Sequence, residues 1–163
     1  ELTWDHPSSD VDLHLLRGGD RASYTGGDDC YYANCKPSPN GDPRLNWGPG
    51  GPEDDPVLDV DDVNGFGPEN INIDQPEDDQ VFMVGVHYYS ARPGGIGGVS
   101  STLATVRIYV WERLVFEETA ELLASQAWWQ VANVEWDSGD VDDGAAQMFT
   151  ETPPRAGGGG GWP

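Results

Sequence analysis

Glycine and proline punctuate this chain so closely that a long helix has no room: 22 glycines and 13 prolines are spread over 163 residues. Each proline removes a backbone donor, and each glycine adds conformational freedom that regular structure must give up. The apolar stretches between them are short and rich in the β-branched and aromatic residues that suit a pleated surface. VDLHLL (11–16) alternates, with Val11, Leu13 and Leu15 on one face and Asp10, Asp12 and His14 on the other. QVFMVGVHYY (80–89) is apolar at both parities, as in a strand covered on both sides. ATVRIYVW (104–111) returns to alternation, with Val106, Ile108 and Val110 inward. With LVFEE (114–118), AWWQVANVEW (127–136) and INI (71–73), at least seven strands are separated by turn-rich linkers, and TAELLASQ (119–126) is read as strand or loop. This pattern predicts an all-β fold: an antiparallel β-sandwich, immunoglobulin-like or jelly-roll-like.

The sandwich is expected to occupy residues 1–136, with long Pro/Gly-rich loops over 36–56 and 91–101. Residues 137–163 form an extended C-terminal tail, acidic first and then Gly-rich, expected to dock on its own or a neighbouring subunit. Five consecutive glycines do not hold a conformation unaided, because nothing offsets their backbone entropy. Trp162, just beyond them, is therefore a candidate assembly anchor, and QMFTET (147–152), containing Phe149, alternates as an added strand would. Head-to-tail contacts of that kind propagate, so a homopolymer of the chain is the expected partner state.

Charge narrows the partners further. The net charge of −21 makes nucleic acid and anionic membrane surfaces poor partners, since phosphate is repelled, and makes cations the natural counter-species. No window approaches the roughly 18 apolar residues of a membrane span. Glu1 directly precedes the strand-like LTW, and the chain is expected to be a mature, secreted, extracellular or cell-surface one. Cys30 and Cys35, in CYYANC, suit a small loop-closing disulfide of an oxidising compartment, whereas a zinc site there would want further cysteine or histidine ligands.

Two acidic clusters lie at strand ends. Asp10 and Asp12 share a strand face, about 7 Å apart by strand rise. LDVDDVNGFGPENINI (58–73) crowds Asp59, Asp61, Asp62 and Asn64 into a glycine turn, with Glu69 and Asn70 arriving as the next strand begins. Carboxylates, amides and backbone carbonyls on such a loop supply the roughly six to eight oxygens of a hard divalent cation, and an irregular all-oxygen cage suits Ca2+ better than Mg2+. An EF-hand is excluded, because Val63 and Asn70 fall where its third paired ligand and closing glutamate belong. The competing reading is a solvated turn whose short side chains cap their own backbone, and for Asp140, Asp142 and Asp143 that reading leads.

Together, W-x5-DVDLH (4–14), DCYYANC (29–35), LDVDDVNGFGPENI (58–71), VHYY (86–89) and ATVRIY (104–109) resemble the YfaP-like β-sandwich domains of secreted bacterial proteins, over residues 2–136. The resemblance implies an immunoglobulin-scale sandwich and an extracellular, calcium-dependent module, and it carries Asp10, Asp12, Asp59, Asp61, Asp62 and Glu69 over as ligands. The insertion between Cys35 and Val57 and the glycine-rich tail lie outside the family pattern.

Catalysis is not expected. His14 shares a face with Asp10 and Asp12, and His87 lies on another strand, but no nucleophile elbow, H-E-x-x-H helix, P-loop or dinucleotide fingerprint occurs. The two histidines are read as hydrogen-bonded structural groups. The expected role is a non-catalytic calcium-binding structural module, a subunit of a surface assembly or filament. The alternative is calcium-dependent glycan binding through exposed rings, for which Trp47 and the Trp128–Trp129 pair are candidates. Because adjacent strand residues face opposite ways, only one of that pair is expected in the core, with Trp129 packed under a loop or a partner subunit.

Overall fold

A computed structural model of the chain describes residues 1–19, 21–63, 65–91, 101–143 and 146–153. Within these, the strands are β1 (Leu2–Trp4), β2 (Ser9–Arg17), β3 (Asp29–Cys30), β4 (Val57–Val60), β5 (Asn70–Asn72), β6 (Val81–Ala91), β7 (Thr102–Val110), β8 (Arg113–Leu122), β9 (Trp128–Glu135), β10 (Val141–Asp142) and β11 (Gln147–Phe149). Every pairing is antiparallel. One sheet runs β1-β7-β8, a second runs β10-β9-β6-β2-β3 with β11 also on β9, and β4-β5 form a small third sheet.

The first two sheets face each other across the main core. Leu2 and Trp4 from β1, and Ala104, Val106 and Val110 from β7, meet Val11 and Leu13 from β2, Val84, Val86 and Tyr88 from β6, and Trp129 and Val131 from β9. The alternation predicted for β2 and β7 is thus the face that packs. TAELLASQ divides where its apolar pattern stops: residues through Leu122 continue β8, and the rest is turn.

The larger sheet is covered on its other face as well, which explains why β6 is apolar at both parities. Leu16, Met83 and Trp128 pack there with Tyr24, under residues 18–35 and against Phe149. Both Trp128 and Trp129 are therefore buried, one on each face, so the expectation that only one enters a core is corrected. Trp47 is buried too, stacked on Phe82 with its indole N–H donating to the Gly27 carbonyl at 2.8 Å. Cys30 and Cys35 are disulfide-bonded, with Cα atoms 5.0 Å apart, and the Cys35 carbonyl accepts the Leu58 N–H at 2.9 Å, tying the bridge to β4.

The described strands of the tail return to the chain's own sheet. β10 and β11 line the free side of β9, with Met148 opposite Trp129 and Phe149 opposite Trp128, and the Arg21 guanidinium lies 3.8 Å from the Phe149 ring centre. Trp162 lies outside the described residues. The smaller sheet ends at β8, which carries Glu117, Glu118 and Glu121.

Candidate metal centre

β2 and β6 place the polar side chains. Their register sets Asp12 opposite His87 and His14 opposite Gly85, with a slip between Asp10 and Val11. Because residues 18–35 and the tail cover this face, the expected solvent side of β2 is interior: Asp10, Asp12, His14 and His87 are all buried. Ionisable groups in such surroundings need partners.

Glu69 links the two large sheets. Its backbone exchanges hydrogen bonds with Leu2 at 2.8 and 2.9 Å, and its Oε2 accepts the Leu13 N–H on the edge of β2 at 2.6 Å. Glu69 Oε1 is buried with no hydrogen-bond partner, as are Asp61 Oδ1 and Asp12 Oδ2. Burial pushes the Glu69 carboxyl up from 4.5 to about 9, the Leu13 hydrogen bond pulls it down, and the charges of Asp12, Asp61 and Asp10 raise it again. Asp61 Oδ2 is paired with the half-exposed Lys36 ammonium at 2.6 Å. Three of the expected ligands, Asp10, Asp12 and Asp61, thus act through space on a fourth, Glu69.

The other expected ligands do different work. Asp59 is exposed, and its Oδ2 accepts from the Asn70 amide at 3.4 Å. Asp62 Oδ2 accepts the Gly67 N–H at 3.1 Å, which holds the glycine turn in shape, the solvated-turn role open to such residues from the start. Gly67 has φ +81, and a side chain there would meet the Leu2 carbonyl and the Trp4 ring. Asn64 lies outside the described residues. Asp142, in β10, is exposed.

A second grouping was not assigned from the sequence as a site. His14 Nδ1 lies 3.0 and 2.9 Å from the two oxygens of Asp29, whose Oδ2 also accepts the Thr25 N–H at 2.7 Å. Asp29 is fully buried, so it holds the Nδ1 proton and leaves His14 Nε2, itself buried, without a partner. His87 Nδ1 is 3.6 Å from Asp12 Oδ2, and His87 Nε2 is 3.3 Å from Thr152 Oγ1. One ligand atom from each of Asp12, His14 and His87 lies within 4.8 Å of the other two. Aromatic rings close the surroundings: Tyr31 stacks on His14 at 5.2 Å, Trp128 meets it edge-on at 5.0 Å, and Tyr24 touches both imidazoles. The shared parity of Asp12 and His14 was the available signal, but the β2–β6 register that adds His87 is a tertiary property.

No known protein family, curated protein or solved structure matches the chain.

Proposed function

We propose that this chain is a non-catalytic, extracellular structural module whose β-sandwich is completed by a Ca2+ ion held among Asp10, Asp12, Asp61 and Glu69. The observation that carries this reading is the set of buried, unpartnered oxygens, Glu69 Oε1 and Asp61 Oδ1 above all, in a neighbourhood of like charge. A proton on Glu69 relieves part of that repulsion, and a divalent ion relieves more of it while giving the unpartnered oxygens of Glu69 and Asp61 a partner. An all-oxygen donor set selects a hard cation, and donors drawn from β2, the β4–β5 loop and residue 69 form the irregular cage that favours Ca2+ over Mg2+. Extracellular modules bind Ca2+ with Kd of about 10⁻⁴ to 10⁻³ M, which fits the disulfide and the secreted-domain motifs.

The module is proposed to act as a subunit of a homomeric surface assembly. The β7–β8 hairpin tip supports this: Trp111 is 67 % exposed beside exposed Tyr109 and Leu114. Trp111 and Glu112, with φ of 51° and 62°, form its two-residue turn in the left-handed region that glycine and asparagine favour. Holding a tryptophan outward at that cost suits a contact surface. The glycan reading loses its candidates, since Trp47, Trp128 and Trp129 are all buried.

Calorimetric titration with Ca2+, paired with melting curves in EDTA and in excess Ca2+, tests the site, and size-exclusion chromatography under the same two conditions tests the assembly. Absence of Ca2+ uptake, together with identical melting in both buffers, would overturn the reading.

A further inference from the structure

The two imidazoles are hydrogen-bonded so that their remaining lone pairs converge. Gln126 fixes the pattern at His87: its Nε2 donates to the Tyr89 carbonyl at 2.8 Å, so its Oε1 is the acceptor for the Thr152 hydroxyl at 3.0 Å. With its proton committed to Gln126, Thr152 Oγ1 accepts at 3.3 Å from His87 Nε2–H. That tautomer leaves His87 Nδ1 as the nitrogen able to take a metal ion, 3.6 Å from the buried Asp12 Oδ2. Asp29 commits the His14 Nδ1 proton in the same way, which leaves His14 Nε2 bare and buried. One ligand atom from each of Asp12, His14 and His87 thus lies within 4.8 Å of the others beside the rings of Trp128 and Tyr24, and among the described residues Asp12 Oδ2 and His14 Nε2 have no hydrogen-bond partner.

We propose that Asp12, His14 and His87 bind a borderline divalent transition ion, Zn2+ foremost, through His14 Nε2, His87 Nδ1 and a carboxylate oxygen of Asp12. Donors about 2.0–2.2 Å from a tetrahedral ion stand about 3.3–3.5 Å apart. The Asp12–His87 pair at 3.6 Å is already near that spacing, and one ligand atom from each member of the trio lies within 4.8 Å of the others, so closing on an ion asks for side-chain adjustment rather than a change of fold. Imidazole nitrogen selects Zn2+ over Ca2+. Each imidazole also has the outer partner that metal-bound histidines use to fix tautomer and ring orientation: Asp29 for His14, and the Thr152–Gln126 relay for His87. Asp29 and Thr152 are positioning residues, and Thr152 makes the C-terminal tail part of the site. The two histidines belong to this site alone, whereas Asp12 is shared with the Ca2+ donor set, so the two ions are coupled through that carboxylate.

The test is titration of the full chain with Zn2+, and with Co2+ as a spectroscopic stand-in, both without Ca2+ and in saturating Ca2+. The expected result is one equivalent bound, visible Co2+ ligand-field bands, and loss of both in His14→Gln and in His87→Gln. Thr152→Val, at a half-exposed position that leaves the core intact, is expected to weaken binding about 10- to 100-fold. Glu69→Gln is expected to abolish the Ca2+ response and leave Zn2+ binding in place, which separates the two sites. No Zn2+ uptake, or uptake unchanged in His87→Gln and Thr152→Val, would overturn the proposal. Those two variants decide the matter where His14→Gln does not fold.

Discussion

The Glu69 carboxylate accepts the backbone N–H of Leu13 at 2.6 Å across 56 positions of sequence, and the Glu69 backbone is at the same time paired with Leu2 of the facing sheet. One residue therefore joins the two sheets while bringing an ionisable group among three others of like charge.

Replacing Glu69 by Gln separates these duties. The amide oxygen still accepts from Leu13, but the cost of taking up a proton on folding is gone. Glu69→Gln is therefore expected to melt above the native protein in EDTA at neutral pH, and below it in excess Ca2+. For the native chain, Ca2+ at 100 times Kd adds about 2.7 kcal/mol, several degrees in Tm. Melting curves of the two proteins in both buffers check the crossing, and parallel shifts would argue against it.

The same group sets a pH dependence for the ion-free protein. The folded pKa is raised from 4.5 to about 9, so between those values the folded state holds a proton that the unfolded chain has released. This contribution to stability is present in full below pH 4.5 and is lost as pH rises toward 9. The slope approaches about 1.4 kcal/mol per pH unit for one proton. Urea denaturation in EDTA at pH 5.5, 7 and 8.5 is expected to show this decline, with a flatter profile in Ca2+.

Gly85 makes room for Trp128. Its position opposite His14 leaves a gap that the indole fills, and a methyl group there would collide with the ring. Gly85→Ala is expected to lower stability by about 1–3 kcal/mol as the overpacked ring shifts. Trp128 also touches His14, so a change in tryptophan fluorescence should accompany the lower urea midpoint.

Removal of the disulfide should reach the proposed Ca2+ ligands. Cys30 and Cys35 are 5 residues apart, and closing so short a loop contributes about 2 kcal/mol on the chain-entropy view. The Cys35 carbonyl anchors Leu58, from which β4 leads to Asp61. A Cys30→Ser/Cys35→Ser protein is thus expected to lose that stability and also to bind Ca2+ more weakly in calorimetry.

Local alternation was enough to reveal the sandwich, because β2, β6, β7 and β9 each follow the side-chain period their packing requires. The clustering of acids at strand ends drew attention to Asp10, Asp12, Asp61 and Glu69, and the structure places Asp10, Asp12 and Asp61 where their charges act on Glu69. Alternation could not reveal that the polar face of β2 is interior, because the cover comes from residues 18–35 and 147–152, far from β2 in one case and without regular pattern in the other. The inward places of Trp47 and Trp128 were hidden for the same reason. Asp59 and Asp62 resemble Asp61 in sequence, and only the bend of the loop decides which of them points in. The meeting of His14 with His87 and Asp29 depends on strand register and on the fold of the 18–35 segment, neither of which a local pattern encodes.

The acidic margin formed by β8 limits how copies of this chain can join. Its counterpart margins on the larger sheet are occupied by the chain's own short strands, which leaves β8 as the long unpaired ladder among the described residues. An identical β8 laid alongside would bring Glu117, Glu118 and Glu121 against their own kind. That flank is self-avoiding, so in the proposed assembly contact between copies falls to side-chain surfaces such as the tryptophan-bearing hairpin rather than to strand pairing.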